Sequence, residues 1–460
     1  MKPFHSNSTR GKRALLSALA LAAAAASAQT AQTAQTAPAE NAKQPATLPE
    51  VKVQETAAAP VYAGGHVATR ARLGLLGGKD FMETPFSTIA YTESFMEDSQ
   101  AGDVSEVIAR NDPAVFASGA PGESNESYTI RGLPSLVADV MLNGLPGMAA
   151  YFRNAPEMLE RVEVLKGPSA LLNGMPPKGT TGGAVNLVPK RAGSEPLARV
   201  KAIYQSDSHF GSHVDVGRRL GEQQQFGVRF NGVWRNGETA VNTQRKKATL
   251  ASLGLDWRGS RTRISADIGW QDHRLNQTRT NVTLSGVTHV PAPPDVQSNF
   301  AQPWTYSDER DVYATLRAEH DASDAVTAWA ALGWRHGQEA NSLANLTLHN
   351  AATGAGTVYR FDNTREDHVR TGEIGVRGQA RTGGVGHEWV ASAAVFDFSK
   401  DNAYAMDWRN TLAANLYQPV YHAQPAFSPS ALRGGDLASP KRTGRTRLSS
   451  LALGDTLSLL

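Results

Sequence analysis

A two-residue period dominates the second half of this sequence. From about Leu197 onward, apolar and polar residues alternate over long segments, most clearly in residues 226–235 and 261–271. In the second segment Ile264 and Ile268 face one way and Asp267 faces the other. Strands of a soluble β-sandwich usually have about 5 to 6 residues, whereas a tilted membrane strand needs about ten. The pattern therefore predicts an antiparallel transmembrane β-barrel over residues 191–460.

The connections between these segments differ greatly in length. Gly259 and Ser260 form a short hinge, whereas residues 275–307 are polar and proline-rich. Short turns at one face of a membrane and long loops at the other are typical of bacterial barrels. About ten strand-like segments follow Leu197, roughly half of the 22 strands of a barrel with a plugged lumen. We therefore expect an incomplete barrel, from a partial sequence, a truncated pseudogene or a split reading frame.

The N-terminus carries an export signal. Basic residues precede an apolar run over residues 14–26, which ends in Ala26-Ser27-Ala28. This is the pattern of a secretory signal peptide over residues 1–28, cleaved after Ala28. A membrane-anchoring helix is the alternative, but about a dozen apolar residues are too few to cross a core of about 30 Å.

Residues 29–74 have the composition of a flexible tether. Their Ala-Gln-Thr repeats and Ala/Pro-rich stretch cannot bury a core. Within them, an extended segment places Val51 and Val53 on one face of a strand that lacks a partner. The segment consists of Leu48, Pro49, Glu50, Val51, Lys52, Val53 and Gln54.

Short helix and strand signals alternate over residues 75–190, which predicts an α+β domain. Asp103 is expected to cap a helix that buries Val104, Val107 and Ile108. Strands are expected over residues 127–131 and 161–166.

Composition excludes several classes of function. The net charge of +3 arises from 46 basic and 43 acidic residues without a basic stripe, so no nucleic-acid partner is expected. The sequence has no cysteine, and its 12 histidines form no metal-ligand motif. Nucleophile-elbow and cofactor fingerprints are missing as well, so we expect no enzyme.

Several runs resemble the plugs of TonB-dependent siderophore receptors, from about Phe81 to Lys190. They are SYTIRG at 127–132, DVMLNGL at 139–145, MLERVEVLKGPSALL at 158–172 and GGAVNLVPK at 182–190. The resemblance implies a plug domain over residues 75–190, inside a barrel of 22 strands in the outer membrane of a Gram-negative bacterium. It also implies import of a ferric siderophore, with a weak preference for hydroxamates of the ferrichrome type.

The resemblance also assigns partners. Residues 48–54 lie where the family has its TonB box, which adds as a strand to TonB; an ordinary linker strand is the alternative. No periplasmic signalling domain is expected between the cleavage site and this box. The siderophore brings its iron already chelated, so neither a cofactor nor a protein metal ligand is expected. The resemblance further implies a monomeric receptor that contacts outer-membrane lipid.

Two groups of site residues follow from the resemblance. The outer plug loops suggest Gly119, Ser124, Met148, Tyr151, Phe152 and Arg153 as ligand-binding candidates. The plug strands suggest Arg131, Glu160, Arg161 and Glu163 as ion-pair partners of inward-facing barrel charges. Ordinary packing is the alternative for the first group, and a purely structural role for the second.

Other functions stay open from the sequence alone. A receptor of the same kind could import haem, cobalamin or a glycan, and a truncated chain could be inactive. A porin or a secreted β-rich adhesin is the alternative from another class, although it would need neither the plug motifs nor the TonB box.

Overall fold

The computed structural model describes residues 60–72, 74–118, 127–174 and 177–459. The predicted signal peptide, the predicted TonB box and the candidates Gly119 and Ser124 lie outside the described residues.

The described α+β part contains three small sheets. Strands β1 (Arg70–Arg72) and β2 (Gly78–Asp80) pair with each other, and β4 (Val115–Ser118), β5 (Ser127–Ile130) and β6 (Leu133–Leu136) form a second sheet. The largest sheet has the order β3-β9-β10-β7-β8. Its strands are β3 (Ser87–Thr92), β7 (Met141–Leu142), β8 (Leu145–Pro146), β9 (Leu159–Lys166) and β10 (Gly183–Pro189). Among these five described strands, only the β7–β10 pair is parallel.

Three α-helices in the same described ranges accompany these sheets: α1 (Glu93–Asp98), α2 (Val104–Ala109) and α3 (Ala170–Asn173). Helix α2 has the expected cap, because the Asp103 side chain accepts a hydrogen bond of 3.0 Å from the backbone N–H of Glu106. Val104, Val107 and Ile108 are fully buried. Four 3₁₀ helices complete the described part of the domain: Gly74–Leu76, Phe81–Glu83, Val137–Asp139 and Pro156–Met158.

A tight turn joins β7 to β8. Its central residues, Asn143 and Gly144, have φ angles of +52° and +83°. An Asn-Gly pair adopts this left-handed geometry readily, which makes it typical of two-residue hairpins. The Asn143 N–H donates to the Leu187 carbonyl of β10, so the hairpin is attached to the central sheet.

Ten long antiparallel strands form the large sheet of the described chain, in sequence order from β11 to β23. They are β11 (Leu197–Gln205), β12 (His209–Leu220), β13 (Phe226–Glu238), β14 (Arg245–Arg258), β15 (Thr262–Asn276), β17 (Tyr306–Ser323), β18 (Val326–Leu348), β19 (Ala355–Thr382), β20 (Val385–Met406) and β23 (Lys441–Leu459). Short strands β16 (Val282–Leu284), β21 (Leu412–Asn415) and β22 (Leu432–Gly434) pair along it. Within the described residues, β11 and β23 are the two edges and do not pair with each other. This confirms the expected plug followed by an incomplete barrel.

The connections alternate in length as the sequence predicts. Residues 277–305 and 407–440 are the longest, and both lie at one end of the sheet, the long-loop end. The opposite end, the short-turn end, has connections of two to five residues at 221–225, 259–261, 324–325 and 383–384. Helices of the described residues are all too short or too polar to cross a membrane.

The two faces of the large sheet carry opposite chemistry. In β15, Ile264 and Ile268 are 38% and 53% exposed, whereas Asp267 and Gln271 are 2% and 4% exposed. Apolar side chains therefore point outward and polar ones point inward, where the α+β domain covers them. This arrangement is the one that a barrel in lipid requires.

Candidate functional site

The loop between β8 and β9 brings the plug domain against strands β17, β18 and β19 near the long-loop end. Met148 is fully buried in the main core and lies beside Gly333 of β18. A Cβ atom at position 333 would come within 2.9 Å of the Met148 sulfur. A larger residue at position 333 would press on the Met148 side chain, so Met148 serves in packing.

Two neighbouring aromatic residues of this loop contact a barrel arginine. The Tyr151 and Phe152 rings are 5.0 Å apart in an edge-on arrangement. The Arg365 guanidinium of β19 lies 3.5 Å from the Tyr151 ring centre. Asp367 holds this guanidinium with two hydrogen bonds of 2.9 and 2.7 Å. Such a cation–π contact stabilises by about 0.5–2 kcal/mol, depending on its desolvation.

A small cleft separates this loop from the barrel wall. Tyr151 and Phe152 line its plug side, and Asp311, Glu339, Arg365 and Asp367 line its barrel side. The enclosed space is about the size of one water molecule, so the cleft presents apolar ring surface beside fixed charged groups but is not itself a ligand-sized pocket. The ligand-binding role of Tyr151 and Phe152 stays a prediction.

Arg153 forms a buried ion pair that joins the plug to β17. Its guanidinium donates to the Glu309 carboxylate, and the two side chains are 6% and 4% exposed. The Ser307 hydroxyl donates to the same carboxylate at 2.9 Å, and the Gln271 amide donates to the Arg153 carbonyl. We predicted Arg153 as a ligand contact, but no sequence pattern indicated that it pairs with Glu309.

A second buried arginine, Arg335 of β18, also reaches the loop. It donates to the Gly147 carbonyl at 3.1 Å and to Asp311 of β17 at 2.8 Å. Asp367 of β19 lies 3.9 Å away. The one sequence signal for Arg335 is its position in an alternating strand, which places its side chain on the inward face.

The predicted ion-pair candidates lie in the plug. Arg161 contacts Glu160 at 2.8 Å and Glu163 at 2.7 Å, all within β9. Glu163 also accepts a hydrogen bond of 2.7 Å from Asn186 of β10. Arg131 lies in the exposed turn after β5 with a φ of +53°. The structure thus joins three of these residues to one another, and their role in transport stays a prediction.

Other ion pairs tie the plug to the barrel closer to the short-turn end. Lys190 contacts Asp215 of β12 at 3.2 Å and Glu93 of α1 at 2.9 Å. Arg191 donates two hydrogen bonds to Asp267 of β15, one of them 2.8 Å long. Helix α1 thereby shares a charge network with the wall.

Glu97, also in α1, contacts Arg199 at 2.8 Å and Lys201 at 2.6 Å, both in β11. Burial acts to raise the pKa of the Glu97 carboxyl, but the two cations outweigh burial and hold the pKa below its usual range. Glu97 is therefore ionised at neutral pH and holds α1 against the wall.

No group of three or more His, Asp or Glu side chains in the described ranges is arranged to hold a metal ion. The expectation that a ligand supplies its own chelated iron stays a prediction. The buried Asp139 carboxylate, within the DVMLNGL run, has a structural role: it accepts hydrogen bonds from the backbone N–H groups of Lys178 and Thr180 at 2.6 and 3.1 Å.

Residues 80–183 match the TonB-dependent Receptor Plug Domain. The chain is 36% identical over 429 residues to the ferrichrome receptor FcuA of Yersinia enterocolitica, covering 92% of this chain and 56% of that protein. It is 29% identical over 229 residues to the ferrichrome outer membrane transporter/phage receptor of Escherichia coli, covering 47% of this chain and 30% of that protein. The chain thus spans about half the length, or less, of these curated relatives.

Solved structures agree with these relatives. BauA, the ferric preacinetobactin receptor of Acinetobacter baumannii, aligns with a TM-score of 0.80 at 39% identity, covering 87% of this chain and 59% of that chain. The ferripyoverdine receptor of the outer membrane of Pseudomonas aeruginosa aligns with a TM-score of 0.66 at 18% identity, covering 85% of this chain and 52% of that chain, which supports the fold alone. The relatives are outer-membrane receptors and transporters of Gram-negative bacteria. This confirms the predicted location and the prediction that the chain is not an enzyme.

Proposed function

We propose that this chain, which belongs to the TonB-dependent siderophore receptors, takes part in importing a ferric siderophore across the outer membrane with energy from TonB. One observation carries the proposal: the likeness to the ferrichrome receptor extends over 92% of the chain and therefore includes both plug and barrel strands. A plug domain shared without the barrel would support a common fold but not a common ligand class.

The residues around the cleft at the long-loop end support the ligand class by their chemistry. Tyr151 and Phe152 offer ring surface, and Arg365 offers a positive charge that Asp367 keeps in place. An iron atom that is already enclosed by its chelator requires a surface of this kind and no protein ligand.

Iron uptake in iron-starved cells tests the ligand class. We expect this chain's receptor to import ⁵⁵Fe presented as ferrichrome or as ferric preacinetobactin, the ligands named for its two relatives. Arg365→Ala should weaken binding by roughly tenfold, equivalent to about 1.4 kcal/mol, because the cleft would no longer hold its guanidinium. Arg310→Ala, which removes an outward-facing arginine of β17, is the control. Uptake of haem or cobalamin instead of both siderophores would contradict the proposal.

A second experiment tests the use of TonB. Proline at Val51 or Val53 removes backbone donors that a β-strand added to TonB would need. We expect either variant to abolish energised uptake while surface binding of the ferric siderophore persists. Ala34→Pro, in the Ala-Gln-Thr repeat of the same tether, should leave uptake intact. Normal uptake by both variants would mean that the TonB contact lies elsewhere.

A further inference from the structure

Two histidines face each other on the outward surface of the barrel. His336 of β18 and His368 of β19 are register partners on adjacent strands. Their ring centres are 4.5 Å apart, and their Nδ1 atoms are 3.0 Å apart. Both belong to the outward-facing set, because Arg335 and Asp367, their chain neighbours, point inward and are 2% exposed. The two Nδ1 atoms therefore already face each other.

The spacing of the two nitrogens fits a transition-metal ion. A Zn²⁺–imidazole bond is about 2.0–2.1 Å long. Two such bonds at angles between square-planar and tetrahedral place the nitrogens about 2.8–3.4 Å apart. The observed 3.0 Å lies inside this interval, so the site would need no movement of the strands.

The surroundings are polar enough to admit a hydrated ion. Toward the long-loop end, the next outward pair is Gln338 and Glu366, joined at 3.4 Å. Toward the other end, the next pair is Trp334 and Arg370. A tryptophan bordered by charged residues is typical of the interface between hydrocarbon and water.

The flanking strands add a mixed set of groups to the same surface. The register neighbours of the two histidines are Val312 of β17 and Ser399 of β20. Charged outward residues nearby are Arg310 of β17, which contacts Asp272, and Asp397 and Asp401 of β20, which contact arginines of β23. Most of these charges are already paired, so the two imidazoles are the groups with nitrogen lone pairs to offer.

We propose that His336 and His368 form a two-imidazole site for a divalent transition-metal ion on the outer wall of the barrel. Imidazole suits Cu²⁺, Ni²⁺ and Zn²⁺, and Cu²⁺ should bind most tightly. Without metal, one Nδ1–H donates to the other Nδ1. On binding, that hydrogen moves to Nε2, both Nδ1 atoms bind the ion, and water or the Glu366 carboxylate occupies the remaining positions.

A bound ion would cross-link β18 and β19 on the outer face, behind the part of the wall where Gly337 and Asp367 line the cleft. The site is separate from iron held inside a siderophore and does not depend on the proposed import function.

Copper titration of the full chain in detergent micelles tests the proposal. Electron paramagnetic resonance should show one Cu²⁺ per chain with two bound imidazole nitrogens. His336→Gln or His368→Gln should weaken binding by about tenfold or more, because a chelate becomes a single ligand. His320→Gln is the control, since His320 also faces outward and its ring contacts the Thr262 hydroxyl at 2.8 Å. Unchanged binding in the double variant His336→Gln/His368→Gln would overturn the proposal.

A labelling experiment on the unaltered chain gives an answer even if the variants fold poorly. Diethylpyrocarbonate modifies free imidazoles, and mass spectrometry locates the modified histidines. Zn²⁺ should protect His336 and His368 while His320 reacts at its usual rate. Equal labelling of all three with and without Zn²⁺ would refute the site.

Discussion

The buried ion pair between Arg153 and Glu309 gives the sharpest prediction about how the plug is held. In Arg153→Ala, the Glu309 carboxylate would remain inside the barrel, with its side chain 4% exposed and without this cation. Removing one partner of a buried pair costs about 3–5 kcal/mol, since it leaves a desolvated charge uncompensated. Each 1.4 kcal/mol changes an equilibrium constant about tenfold, so the opening equilibrium of loop 147–155 should rise by roughly two to three and a half orders of magnitude.

Hydrogen exchange followed by mass spectrometry measures this opening directly, through the amides of residues 147–155. We expect the double variant Arg153→Ala/Glu309→Gln to recover much of the protection, because a neutral amide is far easier to bury than a charge. Arg310→Ala provides the matched control: its exposed pair with Asp272 is worth about 0–1 kcal/mol. Exchange in Arg153→Ala within about threefold of wild type, a difference below about 0.7 kcal/mol, would refute the reasoning.

Three further results are expected. Asp103→Ala should cost about 1 kcal/mol by removing the cap of α2, seen as faster amide exchange in that helix; unchanged exchange would contradict the capping role. Acidification should loosen α1, because the pKa of the Glu97 carboxyl is lowered in the folded protein. Such a carboxyl stabilises the fold above its ordinary pKa of about 4.3, and this contribution is lost as the pH falls through the folded pKa. Glu97→Gln should remove this pH dependence; if the dependence persists in the variant, Glu97 is not its cause. Glu163→Arg should place a second cation beside Arg161 in β9 and make the plug protease-sensitive. A protease-resistant plug with intact uptake would rule out a role for the Glu163 ion pair in holding the plug during transport.

Much of the fold was predictable because its signals are local. Asp103 caps α2, and Val104, Val107 and Ile108 form the buried face, as the helical spacing predicts. Ile268 and Asp267 lie on opposite faces of β15 because side chains of a strand alternate. The unequal lengths of the connections likewise follow from the sequence, since proline cannot donate to a strand ladder and the long loops lack the apolar–polar alternation of a membrane strand.

The candidate site was predicted only in part. The β8–β9 loop was expected to contribute Met148, Tyr151, Phe152 and Arg153, and the structure places all four against the barrel near the long-loop end. Their roles differ, however, because Met148 packs against the Gly333 backbone while Tyr151 stacks on a guanidinium. A sequence states which residue types a loop contains, but not which side chain meets the wall and which meets the cleft.

By itself, the sequence determined the strand period, the inward and outward faces, the order of plug and barrel, and the family. Tertiary structure alone decided which charges meet. Glu309 was one of many inward-facing polar residues, and its partner, Arg153, lies 156 positions earlier in the chain. His336 and His368 likewise became a pair only when β18 and β19 aligned in one register. Periodicity determines the side of a strand on which a residue lies, whereas register and docking depend on packing between distant segments, which no local pattern encodes.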